Sequence, residues 1–152
     1  MAVNMNRQKV LIGGLAAGLV LNIIDFLSNA VIFADRLRAD ANAFKAGLGD
    51  QMAAMGGGQI ATYVFFDFIV GILLVWTYAA IRPRFGPGSR TALYAALVFF
   101  AFGMILTWGY KASGMMSAGL WRSYSLVWLV NLVLASIVGG MIYSEDPDGS
   151  AA

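Results

Sequence analysis

The chain has 152 residues, of which 60% are hydrophobic and 12% are charged. Soluble domains average about 45–50% apolar and about 25% charged residues, so disordered, collagen-like, coiled-coil and soluble-enzyme classes are excluded. The sequence contains neither cysteine nor histidine. Disulfides, thiolate nucleophiles and cysteine- or histidine-ligated metals and haems are therefore excluded as well, and we expect no metal and no cofactor.

Four long apolar stretches predict transmembrane helices. A helix rises about 1.5 Å per residue, so about 20 apolar residues are needed to cross the hydrocarbon core. The four stretches cover about residues 10–33, 59–81, 91–110 and 124–143, and none contains Lys or Arg. Because the runs are continuous rather than alternating, helices are favoured over a barrel. The sequence therefore predicts one all-α domain over residues 1–152, an integral membrane four-helix bundle.

The first stretch could be mistaken for a signal peptide, because Arg7 and Lys9 precede it. The apolar core of a signal peptide is about 7–15 residues long, whereas this stretch is about 24. It also contains Asn22, Asp25 and Asn29. We therefore expect an uncleaved transmembrane helix.

The long connection after the first stretch carries an amphipathic pattern. Leu37, Ala41, Phe44 and Leu48 recur at helical spacing, and charged residues lie off this stripe. The pattern predicts an interfacial helix over about residues 35–52, on the membrane surface or capping the bundle. A helical extension of the first span is the alternative.

The connection after the second stretch favours an orientation. It contains Arg82, Arg84 and Arg90 and no acidic residue, and its prolines and glycines predict a tight turn over 82–90. Positive charge concentrates in cytoplasmic loops. We therefore expect this turn and both termini on the cytoplasmic side, in a bacterial inner membrane.

Only two ionisable side chains fall inside the predicted spans, Asp25 and Asp67. An ionisable group in the bilayer centre costs at least about 2.5 kcal/mol, so such residues point to function. Asp25 lies eight residues before the end of the first span, and Asp67 lies eight residues after the start of the second. Both are therefore expected at similar depth, roughly 12 Å from the surface that carries the first loop.

The polar residues share helix faces with small residues. In the first span, polar and small residues recur every three or four positions and therefore form one stripe along the helix. Similar faces occur on the second and fourth spans. Packing these faces together predicts one intramembrane polar cluster. Its expected members are Asn22, Asp25, Asn29, Asp67 and Asn131, and the expected helix-packing residues are Gly14, Gly18, Gly71, Ala135 and Gly139.

Three interpretations of the polar cluster remain open. Aspartates and asparagines can bond across helices, for roughly 0.6 to 2 kcal/mol per contact. The cluster could instead hold a proton, a sodium ion or a cationic solute. The third interpretation is contact with a basic residue of another subunit or with a lipid headgroup. We expect no catalytic residue, because the serines lack a histidine and no lysine lies in a span.

Two functions follow from these interpretations. The first is a non-catalytic accessory, assembly or scaffold subunit that packs against helices of a larger membrane complex, for example an energy-transducing one, or within a homo-oligomer. The alternative is a small proton- or cation-coupled transporter that uses Asp25 and Asp67. The expected partners are the lipid bilayer and other membrane subunits or further copies of the chain. Nucleic-acid binding has no support, since the net charge of +2 is spread over loops.

Overall fold

The computed structural model describes residues 5–145, and in this range it is helical without strands. Its elements are α1 (Arg7–Leu27), a π-helix (Ser28–Ile32), α2 (Ala34–Phe44), α3 (Leu48–Ala53), α4 (Gly57–Phe85), α5 (Ser89–Ala112) and α6 (Ala118–Ile142). Within the described range, α1 with its π-helix, α4, α5 and α6 are each long and apolar enough to cross a membrane. The predicted fold class, an integral membrane four-helix bundle, is confirmed.

The turn between α4 and α5 is shorter than predicted. Arg82 and Arg84 lie in the last turn of α4, Arg90 lies at the start of α5, and only residues 86–88 are non-helical. The helix continues through Pro83 because a proline so close to the end removes a single backbone hydrogen bond. Gly86 then ends it with a positive φ of 82°.

The first loop contains two helices rather than the single predicted one over 35–52. Gly47 has a φ of 79° and separates α2 from α3, because a glycine reverses the chain at little cost. The Asn42 side chain accepts a hydrogen bond from the Gly49 amide at 2.7 Å, and Arg38 pairs with Asp50 at 2.6 Å. The apolar spacing continues across the break, so the sequence pattern alone did not show it.

The four long helices surround a common core. α1 packs against α4 and α6, and α5 packs against the same two helices, so α1 and α5 occupy opposite corners. The largest fully buried apolar side chains come from α1, α4 and α6, and Leu120 lies near the start of α6. They are Leu21, Leu74, Val75, Tyr78, Leu120 and Leu132.

Small residues allow the closest helix contacts. A Cβ atom added to Gly14 would lie 2.5 Å from the Cα atom of Ile72, and one added to Gly71 would lie 2.5 Å from the Gly14 carbonyl oxygen. A Cβ atom on Gly18 would likewise come within 2.8 Å of the Phe68 Cα atom. The backbones of α1 and α4 are therefore in direct contact, as small-residue stripes predict.

The contact between α1 and α6 has the same character. A Cβ atom added to Gly139 would lie 2.9 Å from the Gly13 carbonyl oxygen, and Ala135 is fully buried one turn away. Gly13 was not among the predicted packing residues. Neither was Gly103, whose missing side chain leaves room for the ring of Trp128.

The two halves of α4 differ in their packing. Towards the turn, α4 buries Gly71, Leu74, Val75 and Tyr78. Towards the first loop, every residue from 57 to 66 is exposed, whichever way its side chain points. We call residues 57–66 the outer half of α4. In the described chain no residue of this segment is buried, although the Val64 carbonyl accepts a hydrogen bond from the Asn22 side chain of α1.

The start of α6 is tied to α2 by one long-range hydrogen bond. The Asp40 carboxylate accepts from the backbone amide of Ser117 at 2.7 Å, and the Ser117 hydroxyl accepts from the Leu120 amide at 3.3 Å. Both bonds pair amides that the helix itself leaves unpaired. This contact holds the interfacial helix over the end of the bundle.

Replacing Asp40 with alanine is expected to loosen this junction. A net contribution of ~1 kcal/mol corresponds to amide exchange about fivefold faster around Ser117. Hydrogen–deuterium exchange read by mass spectrometry measures this over residues 115–121. Asp35→Ala, at an exposed position of the same helix, is the matched control. Equal exchange in the two variants would contradict the role of Asp40.

Candidate functional site

Asp25 and Asn131 meet at the contact between α1 and α6. The Asn131 side-chain amide donates to the Asp25 carboxylate at 2.8 Å and lies 3.4 Å from the Leu21 carbonyl oxygen. Asn131 is fully buried. Its own side-chain oxygen has no hydrogen-bond partner among residues 5–145. The polar pair therefore forms a specific link between two helices inside the apolar part of the bundle.

Asn29 extends this cluster towards the first loop. Its amide nitrogen donates to the Asp25 main-chain oxygen at 2.8 Å, and its side-chain oxygen accepts a hydrogen bond from the Tyr124 hydroxyl. The Tyr124 ring packs against Phe33, with ring centroids 4.9 Å apart. Asn29 lies in the π-helix, a distortion that recurs at functional sites because it redirects side chains.

A cavity of about 230 Å³ lies beside Asp25. Its wall is formed by α1 with the π-helix, by α5, by α6 and by the connection that precedes α6. The lining residues are Asp25, Ser28, Asn29, Met104, Thr107, Met116, Trp121, Tyr124, Ser125, Val127 and Trp128. The cavity thus combines one carboxylate with several hydroxyl groups and three aromatic rings. We call it the Asp25 cavity.

Asn22 bonds elsewhere. Its side-chain amide donates to the Gly18 carbonyl at 2.9 Å and to the Val64 carbonyl at 3.3 Å. It therefore links α1 to α4 and does not contact the Asp25 carboxylate.

Asp67 does not join the Asp25–Asn131 pair, and the predicted equal depth is wrong. The contacts described above place Gly18 beside Phe68 and Asn22 beside Val64. Continued along the helices, this register puts Asp67 about six residues, or roughly 9 Å, deeper than Asp25. The reason is that residue 33 lies about six residues beyond the level of Gln59 in this register, whereas the prediction placed the two at the same level.

The Asp67 carboxylate is half-buried, and among the described residues it has no hydrogen-bond partner. It is nevertheless close enough to Asp25 for the two charges to interact. Tyr63, which shares its helix face, is 61% exposed. The predicted polar cluster therefore divides into a bonded group of Asp25, Asn29 and Asn131, Asn22 at the contact between α1 and α4, and Asp67, which stands apart.

Several residues of the Asp25 cavity were missed by the sequence reasoning. The aromatic residues of α6 resemble an interfacial belt in the sequence, but Trp121 and Trp128 line the cavity. Trp121 also packs edge-on against Trp108, with centroids 5.5 Å apart. The spacing of Trp121, Ser125 and Trp128 places them on one helix face, and this signal could have been used.

The opposite end of the bundle is held by ionic contacts. Arg82 pairs with Glu145 at 2.6 Å and lies over the Tyr143 ring, 5.7 Å from its centroid. The Gly88 amide donates to the Tyr78 hydroxyl at 3.1 Å. Arg82 therefore has a structural role in joining α4 to the segment after α6.

Together these features define a polytopic helical membrane protein with a polar pair and a cavity in the half of the bundle that carries the first loop. No protein-family model matches the chain, and neither a curated protein nor a solved structure is significantly similar to it. The functional argument therefore rests on the residues of this chain alone.

Proposed function

We propose that the protein is a non-catalytic, helix-packing subunit of a larger membrane assembly. The outer half of α4, with Asp67 at its inner end, is the surface that contacts a transmembrane helix of a different protein. The observation that carries this proposal is the Asp67 carboxylate, which lies within the span and has no hydrogen-bond partner in the described chain.

Lipid acyl chains can cover most of the outer half of α4 but cannot form a hydrogen bond with the Asp67 carboxyl group. Side chains such as Ile60, Phe65 and Phe66 are more than half exposed, and acyl chains solvate them well. Acyl chains offer no hydrogen bond to a carboxyl group, and leaving such a group unpaired in hydrocarbon costs several kcal/mol. A partner helix with a polar or basic side chain at this depth would remove that cost.

Charge favours a partner of different sequence over a second copy. All Lys and Arg residues of this chain lie outside the predicted spans. A symmetric contact between two copies would therefore place two Asp67 carboxyl groups together without a basic residue to balance them. We accordingly propose a partner helix that carries a lysine, arginine or amide side chain.

The transporter hypothesis is the weaker one. It needs Asp25 and Asp67 at one shared site, whereas Asp25 is bonded to Asn131 and Asp67 lies about 9 Å deeper by helix rise. The Asp25 cavity could bind a ligand, but a subunit of a complex can bind a ligand as well as a transporter can, so the cavity does not favour the transporter.

The orientation and location also belong to this proposal. Arg82, Arg84 and Arg90 cluster at one end of the bundle, and the positive-inside rule places that end in the cytoplasm. The interfacial helices α2 and α3 then lie on the other surface of a bacterial inner membrane.

Site-specific photocrosslinking in native membranes tests the proposed partner contact. A photoreactive residue at Phe65 in the outer half of α4 is expected to form a covalent adduct with another protein. One at Ile105, which is 73% exposed on α5, is expected to react with lipid only. Asp67→Leu should reduce the Phe65 adduct at least about tenfold if the polar contact contributes ~1.4 kcal/mol, whereas Asp67→Asn, which can still form hydrogen bonds, should retain much of it.

The identity of the adduct decides between the alternatives. Mass spectrometry is expected to show a transmembrane segment with a basic or amide side chain. An adduct between two copies of this chain, equal yields at both positions, or a yield unaffected by Asp67→Leu would each refute the proposal.

A further inference from the structure

The Asp25 cavity presents hydrogen-bond acceptors. The hydroxyl of Ser28 donates to the Ile24 carbonyl at 2.7 Å, and that of Thr107 donates to the Gly103 carbonyl at 2.9 Å. Ser125 donates in the same way to the carbonyl four residues before it, at 2.8 Å. Because each hydroxyl proton is used within its own helix, only oxygen lone pairs remain for a ligand.

The other polar groups of the cavity wall also leave mainly hydrogen-bond acceptors free for a ligand. Asp25 accepts from Asn131 through one carboxylate oxygen, which leaves the second oxygen for another donor. The Tyr124 hydroxyl proton and an Asn29 amide proton are used in bonds inside the cluster. Two donors remain in the wall: the Trp121 indole N–H, which has no partner in the described part of the chain, and the second amide proton of Asn29. The cavity therefore favours a ligand that donates several hydrogen bonds.

Charge and aromatic rings favour a cation. The carboxylate of Asp25 lies in the wall together with the rings of Trp121, Tyr124 and Trp128. Aromatic faces attract ammonium groups, most strongly in a site with little water. An ammonium already contacts one of these rings: Lys111 Nζ is 5.5 Å from the Trp121 centroid and 3.9 Å from that of Trp108, which packs against Trp121.

The size and lining restrict the ligand further. The volume of about 230 Å³ is below the roughly 300–1,000 Å³ of pockets for drug-sized molecules. Met104, Met116 and Val127 contribute apolar surface, which a metal ion would leave unused. A quaternary ammonium has no N–H group for the hydroxyl oxygens. A small protonated amine with a short alkyl chain fits both the hydrogen-bond acceptors and the apolar side chains of the wall.

We propose that the Asp25 cavity binds a small protonated alkylamine, whose ammonium group is held by the Asp25 carboxylate and by the oxygens of Ser28, Thr107 and Ser125. The alkyl chain packs among the methionines and tryptophans. This site is separate from the outer half of α4 and does not depend on the proposed subunit role.

Calorimetric titration of the purified protein in nanodiscs of zwitterionic lipid tests the site. Propylammonium chloride at pH 7 is the probe, and tryptophan fluorescence gives a second readout because two tryptophans line the cavity. We expect saturable binding. Asp25→Asn should lower the affinity at least about tenfold, as the loss of ~1.4 kcal/mol predicts. Ser136→Ala is the control, because the buried Ser136 hydroxyl donates to the Ala92 carbonyl and does not line the cavity; it should change the affinity less than about threefold.

Two further comparisons keep the test decisive if Asp25→Asn fails to fold. Thr107→Val and Ser125→Ala each remove one acceptor and should weaken binding by about three- to tenfold. Tetramethylammonium, sodium and 1-propanol should bind at least about tenfold more weakly than propylammonium, because each lacks either the N–H donors or the charge. Absence of saturable binding, or equal affinity for any of these three probes, would overturn the proposal.

Discussion

Gly71→Ala is expected to separate α1 from α4 and to destabilise the bundle by ~1–3 kcal/mol, the usual cost of overpacking. The added Cβ atom would lie 2.5 Å from the Gly14 carbonyl oxygen and 2.8 Å from the Gly18 Cα atom. Both atoms belong to the backbone, so no side-chain rotation can make room. The helices must move apart, and the close contacts at Gly14 and Gly18 are lost together.

The measurement is the free energy of unfolding in mixed micelles, titrated with sodium dodecyl sulfate. Gly58→Ala, in the same helix, is the matched control because nothing lies within 4 Å of a Cβ atom there. Alanine is also the better helix former by up to about 1 kcal/mol. The control should therefore be neutral or stabilising. If Gly71→Ala were equally harmless, the direct backbone contact between α1 and α4 would be refuted.

The sequence was sufficient to predict the bundle and several of the residues at its closest contacts. Continuous apolar runs between charged ends have one solution in a membrane, and small residues at helical spacing mark where backbones meet. Gly14, Gly18 and Gly71 were identified in this way, and all three lie at the contact between α1 and α4. Ala135 and Gly139 lie at the contacts of α6.

The relative depth of residues on different helices could not be predicted from the sequence. The prediction assumed that residue 33 and residue 59 lie at the same level, but the contacts of Gly18 with Phe68 and of Asn22 with Val64 place residue 33 about six residues beyond that level. A register difference of about six residues moves every side chain by roughly 9 Å along the helix axis. For this reason Asp25 and Asp67 lie at different levels, although both lie in helices long and apolar enough to cross a membrane.

The cavity wall was missed for a different reason. Trp121 and Trp128 have the composition and position of interfacial anchors, and nothing local distinguishes an anchor from a lining residue. The difference comes from α5, where Gly103 leaves space for the Trp128 ring. Such a fit depends on two helices at once, so it is visible only after their packing is known.

Asn131→Leu is expected to cost ~2–3 kcal/mol of unfolding free energy, more than any single hydrogen bond in the loops. The substitution preserves volume but removes the donor that lies 2.8 Å from the Asp25 carboxylate. A buried group that loses its partner retains its full desolvation cost, whereas removing both partners leaves an apolar contact. The double variant Asp25→Leu, Asn131→Leu should therefore be more stable than Asn131→Leu alone.

This recovery separates a bonded pair from two polar residues that merely share a region. In the double-mutant cycle we expect a coupling energy of ~1–2 kcal/mol, measured by the same titration. Ser136→Ala is the control partner, because the buried Ser136 hydroxyl donates to the Ala92 carbonyl at 2.8 Å and has no bond to Asp25. Its cycle with Asp25→Leu should be additive within about 0.5 kcal/mol. If Asn131 and Asp25 also behaved additively, the Asp25–Asn131 pair would not hold α1 to α6.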